Sequence, residues 1–200
     1  MKTNIALICL LNNYSNEVAE LLSEKLEMFF VDVDEMVEFE LGDAEHINET
    51  LGDQEGAAYI KKCEDKVVSN VAGFENTIIC LSPTTMFSGQ NYEVLSQTSY
   101  VIYLQIAPKF FEKRAKFSAD VIDKDLTELN FTDCDKLYVE KSDMMLNCST
   151  FRSSKAVSKL TRVIKKFFKK TRKAEGKHIP TPIPATTDNM VEQSQAPTAE

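Results

Sequence analysis

Five short apolar runs punctuate the first 150 residues: Asn4–Cys9, Phe29–Asp32, Thr77–Leu81, Tyr100–Gln105 and Met144–Cys148. Between and after them the apolar residues recur at helical spacing, over Glu17–Leu26, Ala57–Val71, Pro108–Lys116 and Ser154 to about Arg172. Strands of this kind read as apolar throughout, because a strand covered on both faces has no solvent side. Strands alternating with helices therefore predict an α/β fold, a five-stranded parallel sheet in a three-layer αβα sandwich. Pro108 suits a first helical position, where its missing N–H costs nothing. Residues 1–173 form the expected domain. Ala174–Glu200 is rich in Pro, Thr, Gln and Ala, which predicts a disordered tail.

Charge divides the chain. Residues 1–152 carry 13 basic and 27 acidic residues, a net of −14, whereas Lys155–Lys177 carries ten basic residues and one acid. The acidic body argues against nucleic acid as a partner. In the last helix Val157, Leu160, Val163, Ile164, Phe167 and Phe168 make an apolar stripe flanked by lysines. Its plainer reading is a final helix packed on the sheet. The alternative is a basic amphipathic extension touching an anionic membrane surface or an acidic partner. The five cysteines include no C-x-x-C pair, which suits reduced thiols in a reducing cytoplasm, and two distant histidines argue against a Cys/His zinc site. No apolar run approaches the roughly 18 residues of a membrane span, and the N-terminus lacks the marks of a signal peptide.

Two segments have the form of a ligand site. Cys9–Asn16 links the first strand to the first helix over the eight positions of a phosphate loop, G-x-x-x-x-G-K-[ST], but holds neither the glycines nor the lysine nor the hydroxyl residue. Such a turn would strain Tyr14 wherever it needs positive φ. Asn12 and Asn13 are turn formers that tolerate it. Phe30-Val31-Asp32-Val33-Asp34 then sets two carboxylates at a strand end, where open parallel sheets bind ligands. Two such carboxylates can hold Mg²⁺ through water and a substrate hydroxyl. The plainer reading is an acidic strand end capping the next helix.

Taken in order, the strand–turn–helix, Val31-Asp32-Val33-Asp34-Glu35, Gly56…Ile60-Lys61…Glu64, Glu75–Ile79, Val101–Leu104 and Leu137-Tyr138…Ser142-Asp143 resemble the shikimate kinases over about residues 3–170. That resemblance implies a P-loop kinase fold of the nucleoside-monophosphate-kinase type, with ATP and Mg²⁺ as cofactors and γ-phosphoryl transfer to the shikimate 3-hydroxyl. It makes Asp32 the Mg²⁺-side aspartate and Asp34 the catalytic aspartate, which also contacts the substrate hydroxyl. Asn12, Tyr14, Ser15, Asn16 and Arg114 fall at nucleotide positions. Lys61, Ser82, Pro83, Thr84 and Cys134 fall at substrate positions.

Most of those positions depart from the pattern. Ser15 stands for the loop lysine, Asn16 for the Mg²⁺-holding hydroxyl, and Asn12 and Tyr14 for glycines. Lys61 and Cys134 stand for arginines that grip the substrate carboxylate, and Ser82-Pro83-Thr84 for three glycines. Losing one oriented cation costs on the order of 10²–10³ in rate, and these losses fall in separate parts of the site. The expectation is a member of the family without its activity, possessing no cofactor and keeping a binding or regulatory role toward a small anionic ligand, an active enzyme or an acidic partner. Two alternatives stand beside it. One is an active small-molecule kinase with a non-standard loop, using ATP and Mg²⁺. The other is an adaptor built on the basic helix.

Overall fold

A computed structural model describes residues 2–42, 53–109, 111, 131–148 and 152–175. The described strands are β1 (Asn4–Ile8), β2 (Phe29–Asp32), β3 (Thr77–Leu81), β4 (Ser99–Gln105) and β5 (Met144–Asn147). The helices are α1 (Asn12–Leu26), α2 (Val33–Leu41), α3 (Asp53–Ala72), α4 (Gly89–Thr98), α5 (Phe131–Lys141) and α6 (Ser153–Glu175), with a 3₁₀ turn at Thr85–Phe87. All strand pairs are parallel, in the order β2-β3-β1-β4-β5. This is the five-stranded αβα sandwich expected, and each strand lies within a residue of its predicted run. The predicted helix over Pro108–Lys116 and the predicted tail fall mostly outside the described residues. Helix α6 runs from a first compact unit, Met1–Ile164, into a second that begins at Lys165.

The core follows from the sheet order. β1 lies centrally, and its five residues and those of β3 are buried throughout. Burying one Leu or Ile side chain contributes about 1.5–3 kcal/mol, so these two strands dominate the apolar stabilisation. The edge strand β2 keeps only Asp32 buried, and Phe29 is 68% exposed. The aromatic core residues Tyr14, Tyr103 and Tyr138 are buried at 1%, 0% and 0% exposure.

Two non-glycine residues with positive φ sit where chain enters the sheet. Glu27 (φ 56°) ends α1 in the left-handed conformation, and Asn76 (φ 55°) precedes β3. They are linked: the Asn76 amide donates to the Glu27 carbonyl at 3.2 Å, and the Phe29 N–H donates to the Asn76 carbonyl at 2.9 Å. The side chain of Asn76 thereby satisfies a carbonyl orphaned at the helix end and fixes where β2 begins.

Candidate functional site

The segment read as an eight-residue turn is mostly helix. β1 ends at Ile8, and α1 begins at Asn12, so Asn12, Tyr14, Ser15 and Asn16 are all helical. The N–H groups of Tyr14 and Ser15 donate to the Leu11 carbonyl, at 3.1 and 3.0 Å. A phosphate cradle needs such N–H groups directed at the ligand. The strain foreseen at Tyr14 does not arise, because positive φ among the described non-glycine residues is confined to Glu27 and Asn76. Without glycines the chain takes helical dihedrals early. The Tyr14 ring turns into the core in line with Val18 and Leu22, which share its face and burial, and its hydroxyl meets the Cys148 thiol just beyond β5. Ser15 is fully buried, with Oγ donating to the Asn12 carbonyl at 2.8 Å and facing the Cys80 thiol.

The two asparagines are half-buried and four residues apart, and so lie on one side of α1. Each grips a different aspartate: Asn16 Nδ2 donates to Asp32 Oδ2, and Asn12 Nδ2 donates to Asp34 Oδ2. The aspartates are placed by a strand-to-helix junction. Asp32 closes β2 and caps α2, its Oδ1 accepting from the Asp34 N–H at 2.9 Å. Asp34 therefore lies in the first helical turn of α2 and not on the strand. Asp32 is a cap, as the plainer reading has it, but a buried one, 6% exposed. Burial, aided by the charge of Glu35, raises the Asp32 carboxyl above its ordinary range against its hydrogen bonds. Burial and then the Asp32 charge push Asp34 up to about 6.

The remaining positions form two further groups. Lys61 lies on α3 and pairs with Glu64 and Asp65, both at 2.9 Å. The other Glu64 oxygen accepts from Thr85 Oγ1 at 2.7 Å, and the Glu64 charge reaches Asp34. Beyond β3, Ser82 Oγ and Thr84 Oγ1 lie 3.2 Å apart, and the Pro83 carbonyl accepts from the Tyr138 hydroxyl. Tyr138 packs edge-on against Tyr103, with ring centroids 5.2 Å apart, and Cys134 lies buried one turn earlier on α5. Arg114 lies outside the described residues. No group of three or more His, Cys, Asp or Glu side chains is arranged to hold a metal ion among the described residues. Sequence reasoning did not single out Thr85; its signal was the run of hydroxyls at Ser82, Thr84 and Thr85 around one proline.

Several known proteins share this architecture. The family model described as "Shikimate kinase" matches residues 16–165. The shikimate kinase of Symbiobacterium thermophilum is 31% identical over 116 residues, covering 56% of this chain and 63% of the relative. That of Moorella thermoacetica is 30% identical over 115 residues, covering 58% and 65%. The chain thus spans less than two thirds of the length of either relative. Among solved structures, shikimate kinase from Acinetobacter baumannii in complex with shikimate superposes with a TM-score of 0.68 at 20% identity, over 83% of this chain and 94% of that one. Shikimate kinase from Aquifex aeolicus gives 0.66 at 22% identity, over 82% and 96%. At such identities the structures speak for the fold alone. The family match, spanning β2 through most of α6, supplies the rest: this chain belongs to the shikimate kinase family.

Proposed function

We propose that this chain is a shikimate kinase family member that no longer phosphorylates shikimate with ATP and serves in a binding or regulatory role. The observation that carries this reading is the asparagine–aspartate pairing. Asn12 and Asn16 occupy loop positions and satisfy Asp34 and Asp32 with neutral amide donors. Phosphoryl transfer demands neutralisation of phosphate charge and oriented donors around it. The Tyr14 and Ser15 N–H groups are spent on the Leu11 carbonyl, Tyr14 fills core, and Lys61 is held by two acids. These residues do not fit a Mg²⁺-bound triphosphate. Regulation through an active enzyme and binding of a small anionic ligand are the roles left to such a scaffold.

One feature favours the active-kinase alternative. A carboxyl pushed up to about 6 lies near the operating range of a general base, and Asp34 has that value. Two measurements separate the readings. Thermal melts of the full chain with millimolar Mg-ATP or Mg-ADP should show no shift, whereas a nucleotide at 100 times its Kd adds about 2.7 kcal/mol. Shikimate-dependent ADP release that vanishes in Asp34→Asn would overturn the inactive reading.

A further inference from the structure

A cavity lies at the ends of β4 and β5, on the other side of β1 in the sheet order from the aspartate-bearing end of β2. It is a half-open pocket of about 350 Å³, within the range of small-molecule sites. Its described walls are mainly apolar: Ile106, Ala107 and Pro108, which follow β4, and Phe131, which opens α5. Phe131 is itself backed by Phe111, with ring centroids 5.4 Å apart. Asp135 is the one charged side chain among the described lining residues.

The carboxylate of Asp135 is held in place. Its Oδ1 accepts from the Tyr103 hydroxyl at 2.8 Å, and the Gln105 amide donates to both oxygens, at 3.0 and 3.2 Å. Both donors come from β4, a strand in the middle of the fold, so the acceptor is fixed by rigid structure rather than by a loop. Burial, reinforced by the neighbouring Asp135 carboxylate, pushes the Tyr103 phenol up, so it remains a donor. Neutral donors orient a carboxylate without cancelling its charge. Asp135 has no cationic partner among the described residues, and the nearby Lys136 instead lies 3.9 Å from Asp133.

We propose that this cavity is a binding site for a small organic ammonium ion, an amine carrying a flat or branched apolar body. The ammonium group would lie against Asp135, and the body would rest between Phe131 and the Ile106–Pro108 segment. Half-buried, such a pair is less screened than one on the open surface, and the apolar body adds burial.

Tryptamine is a suitable probe, because the chain contains no Trp and the indole fluorescence then belongs to the ligand alone. Titrating tryptamine with the full-length protein should give saturable binding. Indole-3-propionate, the same ring with an anionic tail, and neutral N-acetyltryptamine should each bind at least about tenfold more weakly, a 1.4 kcal/mol difference. Asp135→Asn should weaken tryptamine by a similar factor. Asp133→Asn, which removes the same net charge two residues away, should leave it within about twofold. Ala107→Phe fills the cavity with Asp135 in place and should abolish binding; it decides the question if Asp135→Asn fails to fold. Absence of saturable binding at millimolar tryptamine would overturn the proposal. Equal weakening by both aspartate variants, or indifference to Ala107→Phe, would do the same.

Discussion

Asp34 is a carboxylate held where its charge is unwelcome. Its folded value near 6 lies above the ordinary 3.8, so the native state binds the proton more tightly than the unfolded chain does. Its contribution to stability is fully present below the ordinary value and is lost as pH rises through about 6. At neutral pH the ionised group therefore opposes folding, by roughly 1–3 kcal/mol. Asp34→Asn should raise the urea midpoint at pH 7.5, and the gap over wild type should close below about pH 4. Equal midpoints at both pH values would contradict this account. The partner residues behave oppositely. Asn16→Ala removes the amide from the buried Asp32 carboxylate and should cost about 1–3 kcal/mol at neutral pH. In an Asp32→Asn background the same change should cost less, and a double-mutant cycle reads the coupling directly.

Helices α1 and α2 are joined by those asparagines, while the start of β2 is set by the left-handed pair at the other end of α1. Glu27 is an exposed residue in a conformation that favours glycine. Glu27→Gly should stabilise by about 0.5–1 kcal/mol, seen as a higher denaturation midpoint with an unchanged m-value. A loss of stability would show that the Glu27 side chain matters more than its backbone strain. The elements also show what the sequence could reveal. Parallel strands covered on both faces announce themselves as apolar runs, and β1 and β3 were legible for that reason. The start of α1 was not, since the turn template of a phosphate loop competed with helical periodicity. The line Tyr14, Val18, Leu22 at four-residue spacing was the signal for an earlier start. Helix α2 was hidden by its acids and weak apolar stripe, and α4 by a polar sequence whose clearest mark is the Ser88 cap, which accepts from the Asn91 N–H at 3.3 Å. The pairing of Asn12 and Asn16 with two aspartates 16 to 22 residues away was beyond any local pattern. It depends on β2 lying near β1 across β3, which only the assembled sheet provides.

Across the molecule, stability is concentrated in the middle of the sheet and thins toward its edges. Leu7→Ala, in fully buried β1, should cost about 2–5 kcal/mol, whereas Phe39→Ser, at a side chain 88% exposed, should stay within about 0.5 kcal/mol. Chemical denaturation compares the two, and a large loss from Phe39→Ser would mean that something covers α2 in solution. Ser15 carries a different consequence. Its side chain is fully buried and directed at Cys80. Ser15→Lys would therefore thrust an ammonium into the interior and should cost about 3 kcal/mol or more, with no gain of phosphotransfer. A lysine introduced alone is thus a defect in this backbone. For the segment to open into a phosphate loop, the helix must first give up its opening turn, Tyr14 must leave the core, and both asparagines must release their acids. Each step by itself gives up packing or hydrogen bonds, so the segment resists opening one substitution at a time.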